Sequence, residues 1–307
     1  MRLLRSLSAP GRRRLLSILL SAAVVAGVAG VFLSTVPEWI LFRQRLLFSV
    51  LNLDDGATLL PFDHATHDGL RLRSWYIAPA EGRPVIVYFA GRDGDLMRKP
   101  SHLFELAREG YGLLLVGYRG FGGNPGRPRE FDLHLDATFM LTQFRQTGLA
   151  DHGYVLYGYS MGSAIAANAA VHVESRAVVL EAPISSFLQA VRQQAGSIPA
   201  WLVRTRFDNL SRMAEIASPV LLLAGGKDPV TPALFALSLA AANPAVARVR
   251  VFEDANHFSI IRLGGRQAVR EFLTELDDST VAELSTAYLG IPWLWRVGDP
   301  LSSQAWP

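Results

Sequence analysis

The 307-residue sequence predicts an α/β protein. Its expected architecture is a mainly parallel central sheet covered by helices, with a minimal lid, preceded by one transmembrane helix. Three observations predict it. Short apolar runs alternate with helical stretches through most of the chain, the rhythm of an α/β sheet. Those runs are rich in Val and Leu and do not alternate with polar residues, as strands covered on both faces require. The longest uncharged run lies near the N-terminus, directly behind a group of arginines.

Taken in order, residues 1–14 form a basic leader, with Arg2, Arg5, Arg12, Arg13 and Arg14 all preceding the first acidic residue, Glu38. Leu15 to Val36 are 22 residues without a charge. As a helix rising about 1.5 Å per residue they cover roughly 33 Å, against ~30 Å for a bilayer core. Arginines on one side only place the N-terminus in the cytoplasm and the rest outside it, in the periplasm if the cell is bacterial. A cleaved export signal is the alternative. Its small residues (Ser21-Ala22-Ala23 and Ala26-Gly27-Val28-Ala29) lie in the middle of the apolar run instead of after it. Residues 37–57 read as a juxtamembrane linker, where Trp39, Phe42, Arg43, Arg45 and Phe48 suit a membrane interface.

A folded domain is expected over residues 58–276. Thr58–Asp63 and Leu70–Ile77 suggest a hairpin around His67-Asp68-Gly69. Pro84–Ala90, Gly112–Tyr118, Tyr154–Gly158, Ala177–Leu180, Pro219–Ala224 and Arg248–Phe252 read as strands. Leu96–Arg108, Phe131–Gln146, Ser163–His172, Pro232–Ala242 and Gly265–Leu276 read as helices between them. Ile184 to Ser218 breaks the rhythm. It has length for one or two helices over the strand ends, a small lid and not a lid domain. Residues 277–307 are an aromatic-containing tail.

Composition removes several function classes. Cysteine is absent, which excludes disulfides, Cys-ligated metal and a Cys nucleophile. The net charge of +3 comes from the leader: without its five arginines the balance is 25 basic minus 27 acidic residues, or −2. A nucleic-acid-binding face therefore has no support. There is no H-E-x-x-H and no Walker or dinucleotide glycine loop, so neither a metal nor a cofactor is expected.

Gly158-Tyr159-Ser160-Met161-Gly162 matches G-x-S-x-G between a strand and a helix of small residues. A serine held in such a tight turn is a nucleophile elbow, and Gly158 and Gly162 leave room for the turn. A serine hydroxyl needs a base, and the base needs an orienting acid. Asp228 follows the strand Pro219–Ala224 and His257 follows Arg248–Phe252, both at carboxyl ends of strands, where open α/β sheets place their sites. Glu181 is the lesser candidate for the acid. His64, His67, His102, His134, His152 and His172 do not follow strands after the serine and read as surface or structural residues. Two backbone N–H groups, of Met161 after the serine and of Arg92 in the loop after Pro84–Ala90, are the expected oxyanion-hole donors.

With these motifs in order, the chain resembles the BEM46/ABHD13-like branch of the α/β-hydrolase superfamily. The resemblance rests on Tyr88-Phe89-Ala90-Gly91-Arg92, Tyr118-Arg119-Gly120-Phe121-Gly122 with Gly126-Arg127-Pro128-Arg129-Glu130, the Ser160 elbow, Lys227-Asp228 and Asn256-His257. It covers about residues 44 to 275. It implies a serine hydrolase acting on an ester or thioester, with Ser160 as nucleophile, Asp228 as acid and His257 as base. The sequence departs from the branch at Ala90 and Arg92, where His and Asn are usual, and at Gly117, where Asp is usual. A small-molecule or lipid ester is the implied substrate. A serine peptidase, or a non-catalytic membrane-anchored interaction module, are the competing readings.

Overall fold

The computed structural model describes residues 16–30, 59–96, 100–196 and 205–278. Residues 16–30 form helix α1, and every residue of it is exposed. The uncharged run expected to span a membrane therefore lies partly outside the described residues. Fifteen helical residues reach only about 22 Å, and among the described residues no helix is long and apolar enough to cross a membrane. Among the described residues the expected transmembrane helix is therefore not observed. The linker 37–57 and tail residues 279–307 also lie outside the described residues.

The domain is built on one eight-stranded sheet, ordered β1-β2-β4-β3-β5-β6-β7-β8. β1 (Leu60–Ala65) and β2 (Arg71–Ile77) form the expected hairpin, and β2 pairs antiparallel with β4 (Gly112–Leu115). From there β3 (Val85–Phe89), β5 (Tyr154–Tyr159), β6 (Ala177–Glu181), β7 (Val220–Gly225) and β8 (Ala247–Phe252) are all parallel. Every residue of β3 through β7 is buried, because helices cover both faces. The two edge strands differ. β1 is mostly exposed and β8 carries Arg248 and Arg250 on its open edge, charges that discourage pairing with another chain.

Helices α2 (Ser101–Arg108), α3 (Glu130–Gln146), α4 (Gly162–His172), α7 (Ala233–Ala242) and α8 (Arg266–Asp278) fall where the periodicity places them. α2 begins at Ser101, five residues later than Leu96, because Pro100 is its N-cap. Proline lacks the N–H that an interior position must donate. The lid segment contains two helices, α5 (Phe187–Ala195) and α6 (Asn209–Met213). Its two ends are clasped together. The Asn209 side chain donates to the Ile184 carbonyl, the Leu210 N–H to Ser185, and the Phe187 N–H to Arg206. Both carboxylate oxygens of Glu130, the last residue of the Gly126–Glu130 motif, accept the N–H groups of Arg206 and Phe207 at 2.5 and 2.6 Å.

Strand direction fixes which edge is which. β1 runs antiparallel to β2, and β2 antiparallel to β4, so β1 shares the direction of the parallel strands. The chain therefore enters the domain at the edge opposite the carboxyl ends where Ser160 lies.

Candidate active site

Ser160 sits between β5 and α4 with φ +52°, a left-handed conformation that costs a serine about 1 kcal/mol and persists only where its surroundings impose it. They do. A Cβ at Gly162 would fall 2.0 Å from the Phe89 carbonyl oxygen, and one at Gly158 would fall 2.5 Å from the Gly162 oxygen. Backbone packs against backbone at both glycines, and no side chain fits. The Ser160 N–H donates to the Glu181 carbonyl at 2.8 Å, which anchors the turn to the end of β6.

His257 and Asp228 arrive from the loops after β8 and β7. His257 Nε2 lies 3.1 Å from Ser160 Oγ, and His257 Nδ1 lies 2.8 Å from Asp228 Oδ2. Asp228 and His257 are buried, while Ser160 is half-buried and open to a substrate. The three residues singled out by motif and chain order thus form one hydrogen-bonded row. Asp228 also accepts the Val230 and Thr231 N–H groups on Oδ1 and the Thr231 hydroxyl on Oδ2. Burial pushes its carboxyl up. The hydrogen bond and charge of His257, together with the Thr231 donors, outweigh burial and hold it below the usual carboxylate range. The Tyr159 hydroxyl donates to the His257 carbonyl at 3.0 Å, and the exposed Phe258 ring stands edge-on to the imidazole.

Met161 caps α4, and its N–H enters no hydrogen bond among the described residues, so it is free to receive an oxyanion. The loop after β3 passes close to the elbow: a Cβ at Gly91 would lie 3.6 Å from the Ser160 Cβ. Arg92 follows, with an exposed side chain and an N–H likewise without a backbone partner among the described residues.

Glu181, the lesser candidate for the acid, is engaged in the core. Its carboxylate accepts the Tyr157 hydroxyl at 2.7 Å, and that hydroxyl also meets His102 Nε2 at 3.0 Å in the core beneath the site. His64 and His102 are buried structural residues and not surface ones. The glycine at 117 has a steric cause, since a Cβ there would sit 1.9 Å from the Arg73 carbonyl oxygen. One group could in principle hold a cation: ligand atoms of His67, Asp68 and Asp136 lie within 4.8 Å of one another. The buried Arg119 guanidinium already bridges Asp68 and Asp136, so the positive charge this group requires is in place.

Thr231, Tyr159 and Glu130 were not singled out by sequence reasoning. The Asp228-Pro229-Val230-Thr231 spacing is the one local signal that could have found a residue. It lets a tight turn fold N–H groups and a hydroxyl back onto the carboxylate.

Comparison with known proteins agrees with this architecture. The alpha/beta hydrolase fold family matches residues 89–216. An uncharacterized protein of Mycobacterium tuberculosis is 31% identical over 268 residues, covering 83% of this chain and 95% of the relative. An esterase of Pyrococcus furiosus superposes with TM-score 0.64 at 19% identity, over 76% of this chain and 96% of its own. An acylaminoacyl peptidase of Pyrococcus horikoshii superposes with TM-score 0.59 at 20% identity, over 75% of this chain and 44% of its own. The chain belongs to the α/β-hydrolase superfamily. Its fold is that of hydrolases, esterases and peptidases among them.

Proposed function

We propose that the protein is a membrane-anchored serine hydrolase of the BEM46-like branch that cleaves a carboxylic ester or thioester through an acyl-enzyme. The observation that carries the chemistry is the continuous row from Ser160 Oγ through His257 to Asp228, at a strained and accessible elbow. Ser160 Oγ attacks the substrate carbonyl carbon as its proton passes to His257 Nε2. Asp228, kept ionised, orients the imidazole through Nδ1 and stabilises its charged form. The Met161 and Arg92 N–H groups receive the developing oxyanion, each worth about 3 kcal/mol of barrier. The intermediate collapses, the carbon–oxygen or carbon–sulfur bond breaks, and His257 gives the proton to the leaving alcohol or thiol. Water then attacks the acyl-enzyme by the same route, releasing the acid and restoring Ser160.

Helix α1 supports the anchor. It exposes Leu16, Ile18, Leu20, Val24, Val25 and Val28, an apolar surface on all sides that calls for apolar surroundings. With the leader in the cytoplasm, the hydrolase domain faces outward, and lipid or lipid-linked acyl esters are the favoured substrates. A peptidase shares the same row of residues and is the second reading; a non-catalytic module would have no need of it.

The test is turnover of p-nitrophenyl esters of graded chain length beside peptide p-nitroanilides. Ester hydrolysis that falls by about 10³-fold or more in Ser160→Ala fits the proposal. Hydrolysis of anilides alone would select the peptidase, and no turnover of either would favour the non-catalytic module.

A further inference from the structure

The exposed arginines of the described residues are not distributed evenly. Along the sides and at the edge where the chain enters, they pair with carboxylates: Arg83 with Asp277, Arg145 with Glu174, Arg266 with Glu105, Arg270 with Glu109. At the carboxyl edge, around the mouth of the candidate site, Arg92, Arg127, Arg129, Arg206 and Arg262 are exposed and form no ion pair among the described residues. Arg71, the first residue of β2, and Arg250, on the open edge of β8, are further exposed arginines that form no ion pair among the described residues. The acids of the carboxyl edge offset these charges incompletely. Asp254 is held by Lys227, and Asp208 is turned onto Ser211 as the cap of α6. Glu130 is turned onto the Arg206 and Phe207 N–H groups and offsets part of the Arg206 charge. Asp93 and Asp95 are half-buried, and Glu253 is exposed.

The same edge carries large exposed apolar side chains. Phe131 opens α3, Leu234 opens α7, and Phe258 follows His257; they are 69%, 67% and 70% exposed. Topology puts all three at the carboxyl ends of the strands: α3 follows β4, α7 follows β7, and Phe258 follows β8. Isolated apolar residues on a surface need no explanation. Three at one edge of the sheet, together with exposed arginines that form no ion pair, match the chemistry of an anionic lipid surface, where cations meet headgroups and rings enter the acyl boundary.

We propose that the carboxyl edge of the sheet, with the candidate active site at its centre, docks on an anionic bilayer surface. Attraction is directional, because the chain beyond the leader carries a net charge of only −2 (25 basic minus 27 acidic). Each arginine near such a surface strengthens association about fivefold. The domain then lies with its entry edge away from the bilayer. The 22 residues from 37 to 58, beyond the uncharged run, allow this, since a fully extended chain of that length reaches about 70 Å. The inference rests on the membrane part of the proposed function and needs nothing from its catalytic part.

The natural chain has no cysteine, so single cysteines can be labelled specifically. The full chain carrying Phe131→Cys or Leu234→Cys, with Leu149→Cys at the opposite edge as control, is labelled with the polarity-sensitive fluorophore NBD. It is then reconstituted in vesicles of equal parts phosphatidylcholine and phosphatidylglycerol, and in pure phosphatidylcholine. Docking predicts a blue shift and a severalfold rise in emission at 131 and 234 in the anionic vesicles, and none at 149. The rise should reverse as salt goes from about 0.1 to about 1 M, which shortens the Debye length from ~10 to ~3 Å. Thermal melting confirms that each variant is folded. Protein that co-floats with anionic vesicles while 131 and 234 stay dim overturns the docking alone. An equal rise at 149 overturns it as well. Protein that fails to co-float defeats both the docking and the anchor, and ester turnover, measured separately, still judges the hydrolase.

Discussion

The Thr231 hydroxyl lies 3.1 Å from His257 Nδ1 while donating to Asp228 Oδ2 at 2.8 Å. It occupies the junction through which the acid orients the imidazole, and it limits how far either ring or carboxylate can turn. Thr231→Val keeps the shape and removes the hydroxyl. It should lower kcat about tenfold with KM nearly unchanged, the worth of one charge-assisted hydrogen bond of ~1.4 kcal/mol. Thr231→Ser should restore most of the rate, and steady-state kinetics on one soluble ester reads all three forms.

The elbow predicts a sharp steric response. Gly162→Ala would drive a methyl group into the Phe89 and Ala90 carbonyl oxygens, which would lie 2.0 and 2.5 Å from it. Neither β3 nor α4 can retreat without breaking the sheet contact, so the cost should be about 3 kcal/mol or more. Urea denaturation reads it. Gly122→Ala, at a glycine whose Cβ would meet nothing within 4 Å, should cost only about 1 kcal/mol, that of holding an alanine at φ +56°.

The lid should respond to Glu130. Its two carboxylate oxygens each accept one backbone N–H from the lid's returning limb. In Glu130→Gln one oxygen becomes an NH₂ group facing a donor, a mismatch of about 2 kcal/mol. Stability should fall by that amount, and KM should rise more than kcat falls, because the limb borders the site and touches none of the reacting groups.

Acid should weaken the same region. Burial lowers His134 from its ordinary 6.5 to about 4, and its Nε2 has no hydrogen-bond partner. The ring stands edge-on to the fully buried Phe207 of the lid limb. The unfolded chain takes up this proton near pH 6.5 and the folded chain only near pH 4. Stability is therefore intact above pH 6.5, falls through that window by about 3 kcal/mol, and loses nothing more to this residue below it. His64, lowered chiefly by burial, acts in the same direction. Melting temperatures across pH 4 to 7 should show the loss, and His134→Gln should flatten part of it.

How far the sequence speaks for itself depends on what each residue answers to. The strands are legible because β3, β5, β6 and β7 are buried on both faces, so their composition has no alternative. Ser160, Asp228 and His257 are legible because chain order and strand ends locate them without coordinates. Glu130 and Tyr157 are not, because their roles come from partners far along the chain: Glu130 meets Phe207 and Tyr157 meets Glu181 only once the sheet has formed. Thr231 is the intermediate case, three residues from Asp228 and open to a local reading, but meeting His257 only in the fold. The helix expected from Leu96 starts late because a pattern of apolar spacing does not register Pro100 as a boundary. The uncharged run from Leu15 was legible as an apolar helix, and α1 is one. Its passage through a bilayer is a property of surroundings that neither sequence periodicity nor the fold contains.

The central claim is that Ser160 is the nucleophile of a hydrolase. A fluorophosphonate reacts covalently only with an activated serine, so intact-mass analysis of the full chain after exposure tests it most directly. The account predicts one adduct, mapped to Ser160 by peptide sequencing, absent from Ser160→Ala and strongly slowed in His257→Ala. No adduct on the wild-type chain, or the same adduct on Ser160→Ala, would contradict it.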